Sequence, residues 1–246
     1  MTHRAKKSLG QNFLQSKAIV AKIIKTAKVT SKDHVIEIGP GLGILTEELA
    51  KHAKNTTAIE LDKDLIPTLK ENPALKKVEI INADALLFKA PKNTKYKVVA
   101  NIPYYITSPL ITAFLTQKNP PTSMTLLVQK EVAEKIITDP PESILALQTQ
   151  LYAKPILAFG VPAKHFKPKP KVDSAVIHLE TLKKTTRPKN PTKILELAKQ
   201  AFSQKRKKLS NTLKHIKPSL IKFKLIDKRP QHLTLKDWEN LANHKQ

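Results

Sequence analysis

Three of the chain's five glycines, Gly39, Gly41 and Gly43, fall in the run "EIGPGLGILT" (37–46). The run follows an apolar stretch and opens a helical pattern. Residues without a Cβ let backbone approach a ligand there, at the N-terminus of the helix. The spacing is G-x-G-x-G, not the G-x-G-x-x-G of dinucleotide binders. Glu60 ends the next apolar run, where a carboxylate can accept hydrogen bonds from ribose hydroxyls. Asp84, in "NADAL" (82–86), ends the third and can accept from an adenine amino group. Alone, Glu60 would read as a solvated charge and Asp84 as a helix cap. At the ends of three successive strands they fit a ligand with an adenosine and no pyrophosphate. S-adenosyl-L-methionine suits that pattern better than NAD.

A fourth apolar run ends in "VANIPYYITSPLI" (99–111). An exocyclic adenine amine is a poor nucleophile because its lone pair is delocalised into the ring. The side-chain oxygen of Asn101 and a nearby backbone carbonyl can accept its two N–H bonds, which localises the lone pair. Pro103 fixes the backbone that presents the carbonyl. Tyr104 offers a face on which a splayed-out base can stack. Phe166, in the proline-rich "VPAKHFKPKPK", is a candidate second wall for that base or, equally, an anchor for its own loop.

The elements that must position these residues alternate. Strands are expected at 34–39, 56–61, 78–84, 97–102 and 123–129, with helices at 44–53, 65–71, 108–117 and 130–137. That alternation implies a doubly wound α/β sheet. Two late strands, 155–161 and 172–179, suit an antiparallel edge hairpin. A helical apolar pattern covers 16–28. From Lys183 a polar linker leads into helical patterns, including 193–202. The expected domains are therefore 1–182, with a basic N-terminal segment, and a small basic helical domain over 183–246.

Charge is segregated along the chain. The net charge is +24, from 44 Lys/Arg against 20 Asp/Glu. Residues 1–32 carry eight Lys/Arg and no acid, and residues 181–246 carry 18 against four acids, so the long middle is nearly neutral. Two basic ends on a neutral domain favour a polyanion, most simply nucleic acid. All but four of the cations are lysine, a hydrated point charge suited to phosphates more than to reading bases. Lys6, Lys7, Lys205, Arg206, Lys207 and Lys208 are the candidate phosphate contacts. With no cysteine, thiolate metal sites and cysteine nucleophiles are excluded. The eight histidines show no metal-ligand spacing, so no metal is expected. No apolar run is long enough to span a membrane, and no signal peptide is evident. A cytoplasmic monomer is expected.

On these motifs the chain resembles the KsgA-type ribosomal RNA adenine dimethyltransferases. The likeness runs through "KSLGQNFL" (7–14), "EIGPGLGILT", "AIELD" (58–62), "NADAL" and "VANIPYYITSPLI", in the family's order. It continues with "LVQKEVAEKI" (127–136), "FKPKPKVDSAVIHL" (166–179) and "AFSQKRKKLSNTL" (201–213). The resemblance implies a Rossmann-like methyltransferase domain with a small helical C-terminal domain. It implies dimethylation of N6 on two adjacent adenosines, in a hairpin loop near the 3′ end of small-subunit rRNA in the immature 30S subunit. It also implies cofactor contacts at Asn12, Leu14, Gly39, Glu60, Asp84 and Asn101. Asn12 and Leu14 come from the resemblance alone. The related erythromycin-resistance methyltransferases act on large-subunit rRNA, and "PKVDSAVIHL" looks more like the small-subunit enzymes. Two departures stand out. "DPPESILALQTQ" (139–150) replaces a segment that usually carries Tyr-Gly, and the C-terminal domain is short. A non-catalytic RNA-binding assembly factor and a DNA adenine methyltransferase are the alternatives.

Overall fold

Seven strands form the central sheet of the computed structural model, which describes residues 4–90 and 94–244. They are β1 (His34–Ile38), β2 (Asn55–Glu60), β3 (Glu79–Asn82), β4 (Lys97–Asn101), β5 (Ser123–Gln129), β6 (Ala153–Val161) and β7 (Ser174–Thr181). Their spatial order is β3-β2-β1-β4-β5-β7-β6. The strands from β3 to β5 run parallel, and β7 runs antiparallel to β5. After β3 the chain crosses to the other side of β1 to form β4. The carboxyl ends of β1 and β4 therefore flank a topological switch point, where open α/β sheets bind ligands. The expected late pair does lie at the sheet edge, with β6 outermost.

The helices are α1 (Lys17–Ala27), α2 (Ile44–His52), α3 (Ile66–Glu71), α4 (Thr107–Thr116) and α5 (Lys130–Ile137). They continue with α6 (Ile144–Tyr152), α7 (Pro191–Phe202), α8 (Leu209–Thr212), α9 (Lys217–Lys222) and α10 (Leu235–Asn243). No helix among the described residues is long and apolar enough to cross a membrane. α1 starts where the Ser16 side chain accepts the Ile19 N–H. Its stripe Ile19, Val20, Ile23, Ile24 and Ala27 is buried against Val35, Val99, Leu127 and Val176 of the sheet. Each of the Ile and Val side chains contributes roughly 1.5–3 kcal/mol on burial.

The chain forms two compact units. One is Met1–Ala133 with Ile156–Thr181; the other is Glu134–Pro155 with Leu182–Gln246. The first three residues of the basic N-terminal segment lie outside the described residues. The departure "DPPESILALQTQ" holds all but the last two residues of α6, an element absent from the sequence-based expectation. Ser143 caps it by accepting from Ala146 N–H at 3.1 Å. Its Leu147 and Leu151 share a core with Ile194, Ala198 and Trp238 of α7 and α10, which explains why this segment groups with the C-terminal helices. α10 is closed at its start by a reciprocal Thr234–Asp237 capping box.

Candidate functional site

A cavity of about 190 Å³ opens at the carboxyl ends of β1 to β4. Gly39, Gly41, Glu60, Asp84, Asn101, Pro103, Tyr104, Asn12 and Leu14 all line it. The turn from β1 into α2 requires glycine at position 41. Gly41 has φ +58, and a Cβ there would lie 2.9 Å from the Phe13 ring. Its N–H donates to Glu60 Oε2 at 3.2 Å, while Asp62 N–H donates to Glu60 Oε1 at 2.8 Å. Glu60 is 6% exposed, and burial pushes its carboxyl up, opposed by those two backbone donors. Each oxygen keeps a lone pair for a further donor. Asp84 Oδ1 accepts from Leu86 N–H at 2.8 Å, as a turn cap would, and the residue lines the cavity as well.

Asn101 ends β4. Its Nδ2 donates to the Asn12 carbonyl at 3.2 Å. Among the described residues its Oδ1 accepts no hydrogen bond, so the free polar atom of this side chain is an acceptor. The Pro103 carbonyl accepts from Ile106 N–H at 3.2 Å and retains its second lone pair. The Tyr104 hydroxyl is 2.7 Å from Ser174 Oγ at the start of β7. That bond pins a half-buried ring, and burial pushes the phenol up.

Two sequence-based candidates are placed elsewhere. Phe166 is 4% exposed and does not line the cavity. It pairs with Leu14 in a two-residue antiparallel bridge and packs with Val20 and Val176 in the core. Of its two readings, the burial favours the loop anchor. Lys6 is not a free cation. Its ammonium lies 2.5 Å from Asp62 and 2.6 Å from Asp64, and Gln11 donates to the other Asp62 oxygen at 2.8 Å. This ties the N-terminal segment to the turn after β2, so residues 9–14 lie along the cavity. Lys7, Lys205, Arg206, Lys207 and Lys208 are exposed, and Lys208 makes a solvent-exposed pair with Asp227 at 2.9 Å. Such pairs are weak and leave the charge available.

The sequence reading missed Phe13 and Glu37. Phe13 closes over Gly41 and packs against Leu65, Leu69 and Leu75. No local signal marks it. Glu37 had one: a charge inside the buried strand "HVIEI". It is 1% exposed, lines the cavity, and its Oε2 has no partner among the described residues. Burial, reinforced by the Glu60 charge and opposed by Thr46, pushes its carboxyl up to about 8. In the unfolded chain it would ionise near 4.5. Between those values the folded state holds a proton that the unfolded state has lost, so stability from this group falls as pH rises through 8. Glu37→Gln removes that dependence. Relative to wild type, the variant is expected to gain stability steadily from pH 5 to 8.5, on the order of 4 kcal/mol at the top. Parallel thermal-unfolding curves across that range would exclude a protonated Glu37.

Glu60, Asp84 and Asn101 thus stand in one cavity as acceptors beside a glycine turn, the donor-seeking set that an adenosine-containing cofactor requires. The fit to S-adenosyl-L-methionine rests on that chemistry.

A family described as "Ribosomal RNA adenine dimethylase" matches residues 2–242. A protein of Mycoplasma mobile named "Ribosomal RNA small subunit methyltransferase A" is 40% identical, covering 96% of each chain. One of the same name from Alkaliphilus oremlandii is 38% identical, over 97% of this chain and 91% of that one. Among solved structures, a dimethyladenosine transferase from Plasmodium falciparum aligns with a TM-score of 0.81 at 28% identity, covering 93% of this chain and 95% of that one. The 23S rRNA methyltransferase ErmE aligns at 0.75 and 27% identity, covering 94% and 98%.

Proposed function

The chain belongs to the ribosomal RNA adenine dimethylase family, and from that premise we propose that it converts two adjacent adenosines near the 3′ end of small-subunit rRNA to N6,N6-dimethyladenosine. The small-subunit reading is supported by the names of the relatives near 40% identity. The observation that carries the chemistry is Asn101, whose amide N–H is committed to Asn12 and whose oxygen is left to accept.

Bound S-adenosyl-L-methionine supplies an electrophilic methyl group on its sulfonium. Glu60 and the turn at Gly39 and Gly41 would hold its ribose side, and Asp84 would accept from its adenine amine. Asn12 and Leu14 close the N-terminal wall. On the substrate side, Asn101 Oδ1 accepts one N–H of the target amine and a carbonyl fixed by Pro103 accepts the other. The lone pair is thereby localised on nitrogen for attack. The Tyr104 ring, held by Ser174, stacks the splayed-out base. The cationic methylated amine would be acidic enough to release its proton to water, so no dedicated base is assigned. Lys7 and the exposed 205–208 run neutralise rRNA phosphates. The substrate is the immature 30S subunit, met by a cytoplasmic monomer.

Incubation with isotopically labelled cofactor and both undermodified small subunits and large subunits, followed by mass-spectrometric mapping, tests the reading. Label is expected on two neighbouring adenosines of the small-subunit rRNA. Label confined to large-subunit rRNA would overturn it.

A further inference from the structure

Tyr105 is 59% exposed, yet it lines the cavity beside Tyr104. Among the described residues its hydroxyl makes no hydrogen bond and its ring no aromatic contact. A large aromatic left open to water contributes little to the core. In a chain with only four tyrosines, two adjacent ones at one cavity mouth call for a ligand. The ring is nevertheless held. Gly10 has φ +59, and a Cβ there would lie 3.3 Å and 3.4 Å from the Tyr105 Cδ1 and Cε1 atoms. The bare Gly10 backbone therefore backs one edge of the ring. The residue also sits in the 3-10 turn Tyr104–Ile106, closed by Ile106 N–H to the Pro103 carbonyl and continued by α4. Tyr105 thus has a fixed position and a free face, one residue from the ring assigned to the target base.

We infer that Tyr105 is a positioning residue that stacks the nucleobase next to the target adenosine. The inference rests on the proposed function, in which the two adenosines are adjacent. While one base is held at Asn101 and Tyr104, its neighbour has lost its stacking partner, and Tyr105 supplies a new one. Base–aromatic stacking does not discriminate strongly among bases. The same platform therefore serves whichever of the two adenosines is the neighbour, and it keeps the RNA in place when the pair exchanges roles.

The test is a cycle of two proteins and two substrates. Small subunits are reconstituted with rRNA whose 3′ segment is synthetic, carrying either both adenosines or one adenosine beside an abasic site. Single-turnover methyl transfer is measured against subunit concentration, at saturating cofactor. On the intact pair, Tyr105→Ala is expected to raise the half-saturating subunit concentration by about 10-fold or more. On the abasic substrate it is expected to have no effect, because the stacking partner is already gone. Tyr105→Phe is expected to match wild type on both, and calorimetry is expected to give the same cofactor affinity for all three proteins. Equal losses for Tyr105→Ala on both substrates would show that the ring touches no neighbouring base and would overturn the inference alone. A wild-type protein that methylates neither substrate would overturn the proposed function, and the role of Tyr105 with it.

Discussion

Methyl transfer by Asn101→Ala is expected to be about 10²–10³ slower than by wild type at saturating cofactor. The Asn101 amide is oriented before substrate arrives, because Nδ2 is held by the Asn12 carbonyl at 3.2 Å. In the proposed mechanism its oxygen accepts an amine N–H whose acidity grows as the nitrogen attacks, so the contact strengthens in the transition state. Alanine removes the acceptor together with the Nδ2 bond to the Asn12 carbonyl, and leaves the strand backbone in place. Binding of the small subunit should stay near wild type, since the proposed phosphate contacts are at Lys7 and residues 205–208. Some loss of cofactor affinity is also expected, because Asn101 shares the cavity with Glu60 and Asp84. Single-turnover rates therefore isolate the chemical step. A folded variant that dimethylates at the wild-type rate would mean that β4 ends in asparagine for shape alone.

Glu60→Ala should weaken S-adenosyl-L-methionine binding by about 10- to 100-fold. Hydrogen bonds to a charged group contribute roughly 1.5–3 kcal/mol each, and about 1.4 kcal/mol is a factor of ten. The carboxylate also receives the Gly41 and Asp62 N–H groups. Its loss therefore loosens the glycine turn and the turn after β2 together. Glu60→Gln keeps one oxygen acceptor and should lie between Ala and wild type. Calorimetry on proteins with matched thermal unfolding separates the two contributions. Unchanged affinity in a folded Glu60→Ala protein would refute the ribose role.

Which residues meet in the cavity was largely legible in the sequence. Parallel strands joined by helices bring their carboxyl ends together, so motifs at successive strand ends converge whatever the loops do. Gly41, Glu60, Asp84 and Asn101 needed only that rule. Asn12 and Leu14 needed the family resemblance. Glu37 was legible in principle, because a charge in a buried strand is anomalous, but the strand was read only for its apolar residues.

The sequence by itself determined the sheet, the strand-end acceptors and the two basic ends, because each is encoded in contiguous residues. Tertiary structure alone decided what distant segments do to one another. Phe166 is a buried anchor because Leu14 pairs with it. Lys6 is a tether because Asp62 and Asp64 lie beside it. The Glu37 carboxyl is pushed up because the fold removes it from water and sets it near the Glu60 charge. α6 shows the same principle on a larger scale. Its sequence announces an apolar face, but hydrophobic attraction is non-directional. Only the assembled core reveals that Ile194, Ala198 and Trp238 cover that face.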